Sequence, residues 1–301
     1  MDRIMGLVLA IIVSFLHTGQ NTAVKKAAIE NVRPIVVTWA LAAFSLVTLL
    51  PLYFAINVFY GSAQLDTMFW VALAIKLPLS LAATFLYVLA HKYGDMSLVN
   101  PLLSITPIIV LLIAPFVVHQ EASLGGMLGV GLIVVGAYAL NFDSRKAGFF
   151  EPVKMLFRNK GASCMMATAT IWGITTVIDA IGVQSAKGNG LQSGISWAFF
   201  NNLSTILVLT PFVAKEAIAA FGEPSKLKKI APAGLFSGAM DACQMVAMTM
   251  LLAAYVNAIK RFSMVLSVIV GAVFFKEKGI KERLVGSLIM LAGVVMIVLT
   301  K

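Results

Sequence analysis

Residues 99–140 read VNPLLSITPIIVLLIAPFVVHQEASLGGMLGVGLIVVGAYAL, and residues 256–297 read VNAIKRFSMVLSVIVGAVFFKEKGIKERLVGSLIMLAGVVMI. The two segments align without a gap at an offset of 157, which sets Val99-Asn100 on Val256-Asn257, Gly129 on Gly286 and Gly136 on Gly293. Each consists of an apolar stretch, a short polar break and a second apolar stretch, so the unit is a pair of membrane helices. A chain that repeats itself inside a membrane points to a transporter, because two homologous halves can rock about a site held between them.

Composition identifies the solvent. Apolar residues make up 60% of the 301 and charged residues only 12%, whereas a soluble domain carries about 25% charge. The chain is therefore an integral membrane protein, built by packing helices in lipid with every backbone polar group bonded internally. The net charge of +10 is read as loop charge beside anionic lipid heads and not as a nucleic-acid surface. Cys164 and Cys243 both lie in apolar stretches, which argues against a disulfide, and no cysteine spacing suggests a metal.

Ten spans are expected, at roughly 3–27, 34–56, 68–91, 96–118, 122–141, 160–184, 191–213, 230–254, 256–275 and 281–300. Each is near the about 20 residues that cross the hydrocarbon core. Arg3 before the apolar run Ile4 to Leu16 has the look of a signal peptide, but no small-residue cleavage site follows, and the segment is kept as a helix. The repeat extends beyond the opening pair. Phe15 falls on Trp172, Trp39 and Trp197 occupy matching places in the second spans, and Pro51 and Pro211 end those spans. The halves are then 1–145 and 146–301. Five spans per half is an odd number, so the halves lie in the membrane with opposite orientation, as an inverted repeat.

Loop charge agrees with this. Of the 23 Lys and Arg, all but Arg3, Lys76, Lys187, Lys260, Arg261 and Lys301 fall at or in the loops after spans one, three, five, seven and nine. The break His119-Gln120-Glu121 has no Lys or Arg, while its partner, Lys276 to Arg283, has four. The positive-inside rule places the basic loops in the cytoplasm and both termini outside the cell membrane.

The tail VFFKEKGIKERLVGSLIMLAGVVMIV (residues 273–298), with its FFKE turn and the Gly286 and Ala292-Gly293 that follow, resembles the drug/metabolite transporter superfamily, in its ten-span EamA-like branch. The Lys25-Lys26 pair closing span one and the five-plus-five repeat extend the resemblance over the whole chain. It implies transport of small polar metabolites by alternating access, in a family that includes amino-acid and drug exporters. The chain departs from internal symmetry at Lys260-Arg261, where the first repeat has Leu103-Ser104. Its two halves therefore present different chemistry to a solute.

Charge within spans is the best guide to a site, because a charge at the bilayer centre persists only when paired or facing a wet cavity. Lys76, Asp179, Asp241, Lys260 and Arg261 are such residues. Lys76 lies about 12 Å into span three at 1.5 Å per residue. Lys260 and Arg261 are expected about one turn into span nine, and all five fall at or on the terminal side of the midplane. The bland reading is a set of closed ion pairs that fix helix packing, with the Lys76 amine snorkelling past a bend at Pro78. On the cavity reading, two acids against three bases favour an anionic group, and Arg261 can grip a carboxylate or phosphate in a bidentate contact.

Neutral residues join them. His17, Gln20 and Asn21 follow one another in span one, the last two in a stretch from Thr18 that looks broken. His17 is a proton-relay candidate because an unperturbed imidazole titrates near neutral pH. Asn201, Asn202 and Gln244 are placed for the same cavity. Trp172 and Trp197 either stack on a solute or simply pack. The substrate-binding set is thus Lys260, Arg261, Asp241, Asp179, Lys76, Asn21, Asn202, Gln244 and Trp172, with Asp241, Asp179 and His17 as candidates for proton coupling. Gly125/Gly129 and Gly234/Gly238 form small-xxx-small ridges, which serve either internal packing or, for the first, a homodimer face.

The functional expectation is a secondary transporter, an exporter or exchanger, of a small zwitterionic or anionic metabolite such as an amino acid. Protons or a counter-transported solute would drive it, since no ATP-binding motif, cofactor motif or metal spacing is present. The alternatives are a multidrug exporter, disfavoured by the excess of intramembrane cations, and a membrane enzyme or scaffold, for which no nucleophile–base pair or catalytic carboxylate pair is found.

Overall fold

A computed structural model of the chain describes residues 2–28, 33–93, 100–140, 159–221, 224–266 and 280–300. Ten α-helices account for nearly all of them: α1 Asp2–Ala28, α2 Pro34–Tyr60, α3 Thr67–Tyr93, α4 Thr106–Val117, α5 Leu124–Leu140, α6 Lys160–Gln184, α7 Gly190–Phe221, α8 Pro224–Met248, α9 Ala253–Lys260 and α10 Ile280–Leu299. The protein is an all-α membrane protein. By length and composition α1, α2, α3, α6 and α7 are long and apolar enough to cross a membrane, and three shorter apolar helices accompany them. Large apolar side chains such as Phe59 (81% exposed) and Phe116 (84%) point outwards, as lipid-facing surface does.

Several boundaries differ from expectation for physical reasons. α2 and α7 do not end at Pro51 and Pro211; both prolines lie inside the helices. A membrane helix tolerates proline where neighbouring groups take up the freed backbone atoms. The segment expected to be broken at Thr18 to Asn21 is continuous helix within α1. Thr18 and Thr22 return their hydroxyls to Ser14 O and Thr18 O at 2.9 Å each, so their polar groups are satisfied without leaving the helix. Span eight ends at Met248, and α9 begins at Ala253.

Spans four and nine are the reverse case. Each was expected as one continuous helix, and each is irregular. A 3₁₀ stretch, Asn100–Ile105, precedes α4, and α9 stops at Lys260, with a turn at Arg261-Phe262 before helix resumes at Ser263. At the offset of 157, residues 100–105 fall on 257–262 and Thr106 on Ser263. The break therefore recurs at one register in both halves. Hydroxyls of α1 bond carbonyls on either side of the α9 break: Ser14 donates to Ile259 O (2.8 Å) and Thr18 to Ser263 O (3.1 Å).

One end of the bundle gathers both termini and every second connection. Arg3 donates to Ile297 O (3.2 Å), Gln120 Oε1 accepts from Ala253 N (3.0 Å), and a two-residue antiparallel ladder joins β1 Gln64–Leu65 to β2 Ala186–Lys187. Gln192 Nε2 donates to Tyr60 O and Gly61 O at 3.0 and 2.7 Å, adding a second cross-tie there. Residues 29–32, 94–99, 141–158, 222–223 and 267–279 lie outside the described residues, and with them Arg145, Lys146, Lys154, Arg158 and the FFKE turn.

The three most extensive helix contacts respect the exchange of halves. α1 packs on α8 as α3 packs on α6, and α5 packs along α10. A Cβ added at Gly293 would lie 2.6 Å from Gly129 O, and one added at Gly136 would lie 2.7 Å from Gly286 O. The Gly129 ridge thus serves packing inside the chain. Gly234 and Gly238 likewise seat α8 on α2, against Phe44 and Ser45, whose hydroxyl donates to Gly234 O (3.0 Å).

Candidate functional site

Seven helices and the α9 break enclose a cavity of about 160 Å³, roughly the liquid volume of five waters. It is lined by four polar stripes at helical spacing: Lys76, Ser80, Thr84 and Tyr87 on α3; Trp172, Thr176 and Asp179 on α6; Asn201, Asn202 and Thr205 on α7; Ser237, Asp241 and Gln244 on α8. Residues three and four apart share one helix face, so each stripe puts its polar groups on the inner side. His17 and Gln20 of α1, Thr38 of α2, and Asn257, Lys260 and Arg261 complete the wall.

All five intramembrane charges line this one cavity, but they are not equivalent. Lys76 Nζ forms an ion pair with Asp179 Oδ1, both side chains 7% exposed. The indole Nε1–H of Trp197 donates to the same oxygen at 2.5 Å, and Lys76 Nζ lies 5.5 Å from the centre of the Trp197 ring. The lysine does not snorkel past Pro78. A partner closer than the interface holds it, as burial of a charge requires.

The other three charges have no opposite charge within ion-pairing distance among the described residues. Asp241 Oδ2 accepts from Asn202 Nδ2 (3.1 Å). Lys260 Nζ donates to Gln244 Oε1 (2.8 Å). Arg261, 2% exposed, donates through Nη2 to Asn257 Oδ1 (3.1 Å), and Asn257 Nδ2 donates in turn to Thr176 Oγ1 (2.8 Å). Its Nε and Nη1 are buried without a partner, as is Asn201 Oδ1. Lys260 and Arg261 sit two turns after Ala253, at the point where α9 breaks, and not one turn into a continuous helix.

Among the neutral candidates, Gln20 lines the cavity and donates to Ser237 (3.1 Å), and His17 Nδ1 meets Ser263 Oγ (3.0 Å). Trp172 lines the cavity and packs on Tyr87, ring centres 5.0 Å apart. Asn21 does not line it. Its Oδ1 accepts the Tyr87 hydroxyl at 2.5 Å, so it stands behind Tyr87 and fixes that ring. Phe15 is 57% exposed and has no part in the site, although it aligns with Trp172. Trp39 bonds Thr210 (2.9 Å), in an environment unlike that of its counterpart Trp197.

Towards the termini an aromatic layer adjoins the cavity wall at Trp197. The edge of Trp197 meets Phe69 (5.0 Å, 88°), Phe69 meets Phe200 (5.8 Å), and Tyr53 stacks on Phe199 (4.3 Å, 6°). The β1–β2 ladder and the Gln192 ties lie beyond this aromatic layer.

A model of the EamA-like transporter family matches residues 4–142 and again residues 159–299. The chain belongs to the EamA-like transporter family. It is therefore a membrane transporter of the drug/metabolite type, with the family unit present twice. No curated protein matches it. A solved structure described only as "Crystal structure of protein" is similar in fold, with a TM-score of 0.66 at 13% identity, over 98% of this chain and 95% of the other.

The repeated family unit explains one feature that charge counting missed. Ser80, Thr84 and Tyr87 fall on Ser237, Asp241 and Gln244 at the offset of 157, so α3 and α8 of the two EamA units offer one stripe each to the same cavity. That spacing was readable in the sequence. Asn257 and Thr176, which orient Arg261, were not, because their role depends on where the α9 break falls.

Proposed function

We propose that this EamA-like chain is a secondary transporter, an exporter or exchanger, of a small zwitterionic or anionic metabolite such as an amino acid. It works by alternating access around the central cavity. The observation that carries this reading is that Asp241, Lys260 and Arg261 face one cavity without opposite-charge partners among the described residues. Buried charge is costly unless paired, so a site with three such groups is completed by a charged solute. With Lys76 and Asp179 neutralising each other, one acid and two bases remain, and the balance favours an anionic group. Arg261 has its Nε and Nη1 donors left over for the oxygens of a carboxylate or phosphate.

Two inverted five-helix repeats, 1–145 and 146–301, are the machinery. Support comes from the Gly129–Gly293 and Gly136–Gly286 approaches, which are images of one another when the halves are exchanged. The exchanged pairs α1 with α8 and α3 with α6 add to it. Ten crossings put all the loops at the terminal end outside the cell and the basic loops in the cytoplasm. In this state the outer gate is closed by the ion pair, the aromatic layer and the ladder. Where α8 has Gly234 and Gly238 against α2, α3 has Leu77 and Leu81. α3 packs less closely on α7 than α8 does on α2, and the inner side is the way in.

For proton coupling, Asp241 is the better placed acid, because Asp179 is engaged by Lys76 and Trp197. His17 lines the same cavity. Exchange of one solute for another is the mechanism if Asp241 stays ionised throughout. A multidrug exporter of cations is disfavoured by the two unpaired bases. Uptake of labelled amino acids and organic acids into proteoliposomes, with and without a pH gradient, tests the reading. Saturable uptake supports it, and absence of uptake across the panel refutes it.

A further inference from the structure

The unpartnered polar atoms of the cavity are sorted by kind. On the α9 break they are donors, Arg261 Nε and Nη1. On α7 and α8 they are acceptors. Asn201 Oδ1 is buried without a partner, and the Asp241 carboxyl has no cation within ion-pairing distance among the described residues. Lys260 is not in ion-pair contact with it, since its ammonium donates to Gln244, almost one turn further along α8. Asn202 fixes the carboxylate. Its Nδ2 bonds both Ala198 O (3.0 Å) and Asp241 Oδ2 (3.1 Å), which leaves Oδ1 free to accept.

From this we infer an ammonium subsite formed by Asn201 and Asp241, with Asn202 as the positioning residue, so that the solute is a zwitterion bearing a primary amine as well as a carboxylate. The inference rests on the transport reading above and narrows it. A plain carboxylate or a phosphate ester would satisfy Arg261 but leave the acceptors of α7 and α8 bare. A neutral hydroxyl would fill Asn201 but not balance Asp241. A lipophilic cation would meet Asp241 but leave the guanidinium without an acceptor. Only a solute with a donor-rich cationic end and an acceptor-rich anionic end satisfies both walls. Sites that bind a polar group of the substrate reject the analogue lacking it, since their own buried groups then go unpaired.

The test uses the full chain in lipid nanodiscs and reads binding by thermal shift and calorimetry. The probes are the proteinogenic amino acids, the des-amino acid matched to each (propionate for L-alanine, 4-methylpentanoate for L-leucine), and glycerol 3-phosphate. For wild type we expect at least one amino acid to bind roughly tenfold or more tightly than its des-amino partner. In Asn201→Leu and Asp241→Asn that preference should fall below about threefold, while Arg261→Gln weakens amino acid and des-amino acid together. Equal binding of the two partners by wild type overturns the inference without recourse to any variant, as does a preference that survives in both Asn201→Leu and Asp241→Asn. Binding of carboxylates or glycerol 3-phosphate through Arg261, with no amino acid bound better, overturns the ammonium subsite and leaves anion transport standing. Silence across the whole panel overturns both.

Discussion

Lys76 and Asp179 form an ion pair in the wall of the cavity, and Trp197 donates its indole N–H to the same carboxylate oxygen. The pair ties α3 to α6, and Trp197 brings in α7. It lies directly beneath the aromatic layer of Phe69, Phe200 and Tyr53. The two groups stabilise each other only as a pair. Lys76→Met leaves a buried carboxylate alone, and breaking a buried pair costs about 3–5 kcal/mol. The double variant Lys76→Met/Asp179→Asn removes both charges and should recover most of that loss. Thermal unfolding in nanodiscs checks this. A double variant no more stable than Lys76→Met would show that the two side chains do not act as a pair.

Gly129 and Gly293 set the closest approach of α5 and α10. Replacing Gly293 by Ala drives a methyl group to 2.6 Å from Gly129 O, and overpacking of this kind costs about 1–3 kcal/mol. Gly131 lies on the same helix as Gly129 with nothing within 4 Å of its added Cβ. Gly131→Ala should therefore be neutral, or stabilising by about 0.5–1 kcal/mol through helix propensity. Equal losses at Gly131 and Gly293 would mean that glycine at these sites serves something other than close packing.

Gln64 and Lys187 are ladder partners across the terminal end. Partner Cα atoms of an antiparallel pair lie about 4.5–5.5 Å apart, within the about 4.4–6.8 Å that a disulfide spans. With Cys164 and Cys243 replaced by Ser, the pair Gln64→Cys/Lys187→Cys should close under oxidation and stop transport, and a reducing agent should restore it. Full transport by the oxidised, cross-linked protein would exclude this ladder as part of a gate.

The repeat, the helical class and most of the cavity were legible because lipid makes charge so informative. A Lys, Asp or Arg inside an apolar stretch must face something polar, and all five such residues do line one cavity. What the sequence hid was pairing. Nothing in the spacing of Lys76 and Asp179 tells that they meet, or that Asp241 and Lys260 keep neutral partners instead, since these are matters of helix rotation between distant segments. Asn21 differs for the same reason: its side chain meets the hydroxyl of Tyr87, which stands between it and the cavity. The breaks at residues 100–105 and 261–262 escaped because the overall apolar character that marks a span does not reveal an irregular backbone; at the α9 break Ser14 and Thr18 of a neighbouring helix bond the carbonyls of Ile259 and Ser263.

The most direct measurement is uptake of a labelled amino-acid panel by proteoliposomes carrying wild type, Arg261→Gln or Asp241→Asn, each confirmed as folded by its unfolding temperature. The account expects saturable uptake of at least one amino acid by wild type. It also expects a loss of about tenfold or more in each variant, since a substrate group left facing a neutralised partner forfeits a charge-assisted bond. Uptake by either variant at the wild-type rate would contradict a charged solute held between these two residues.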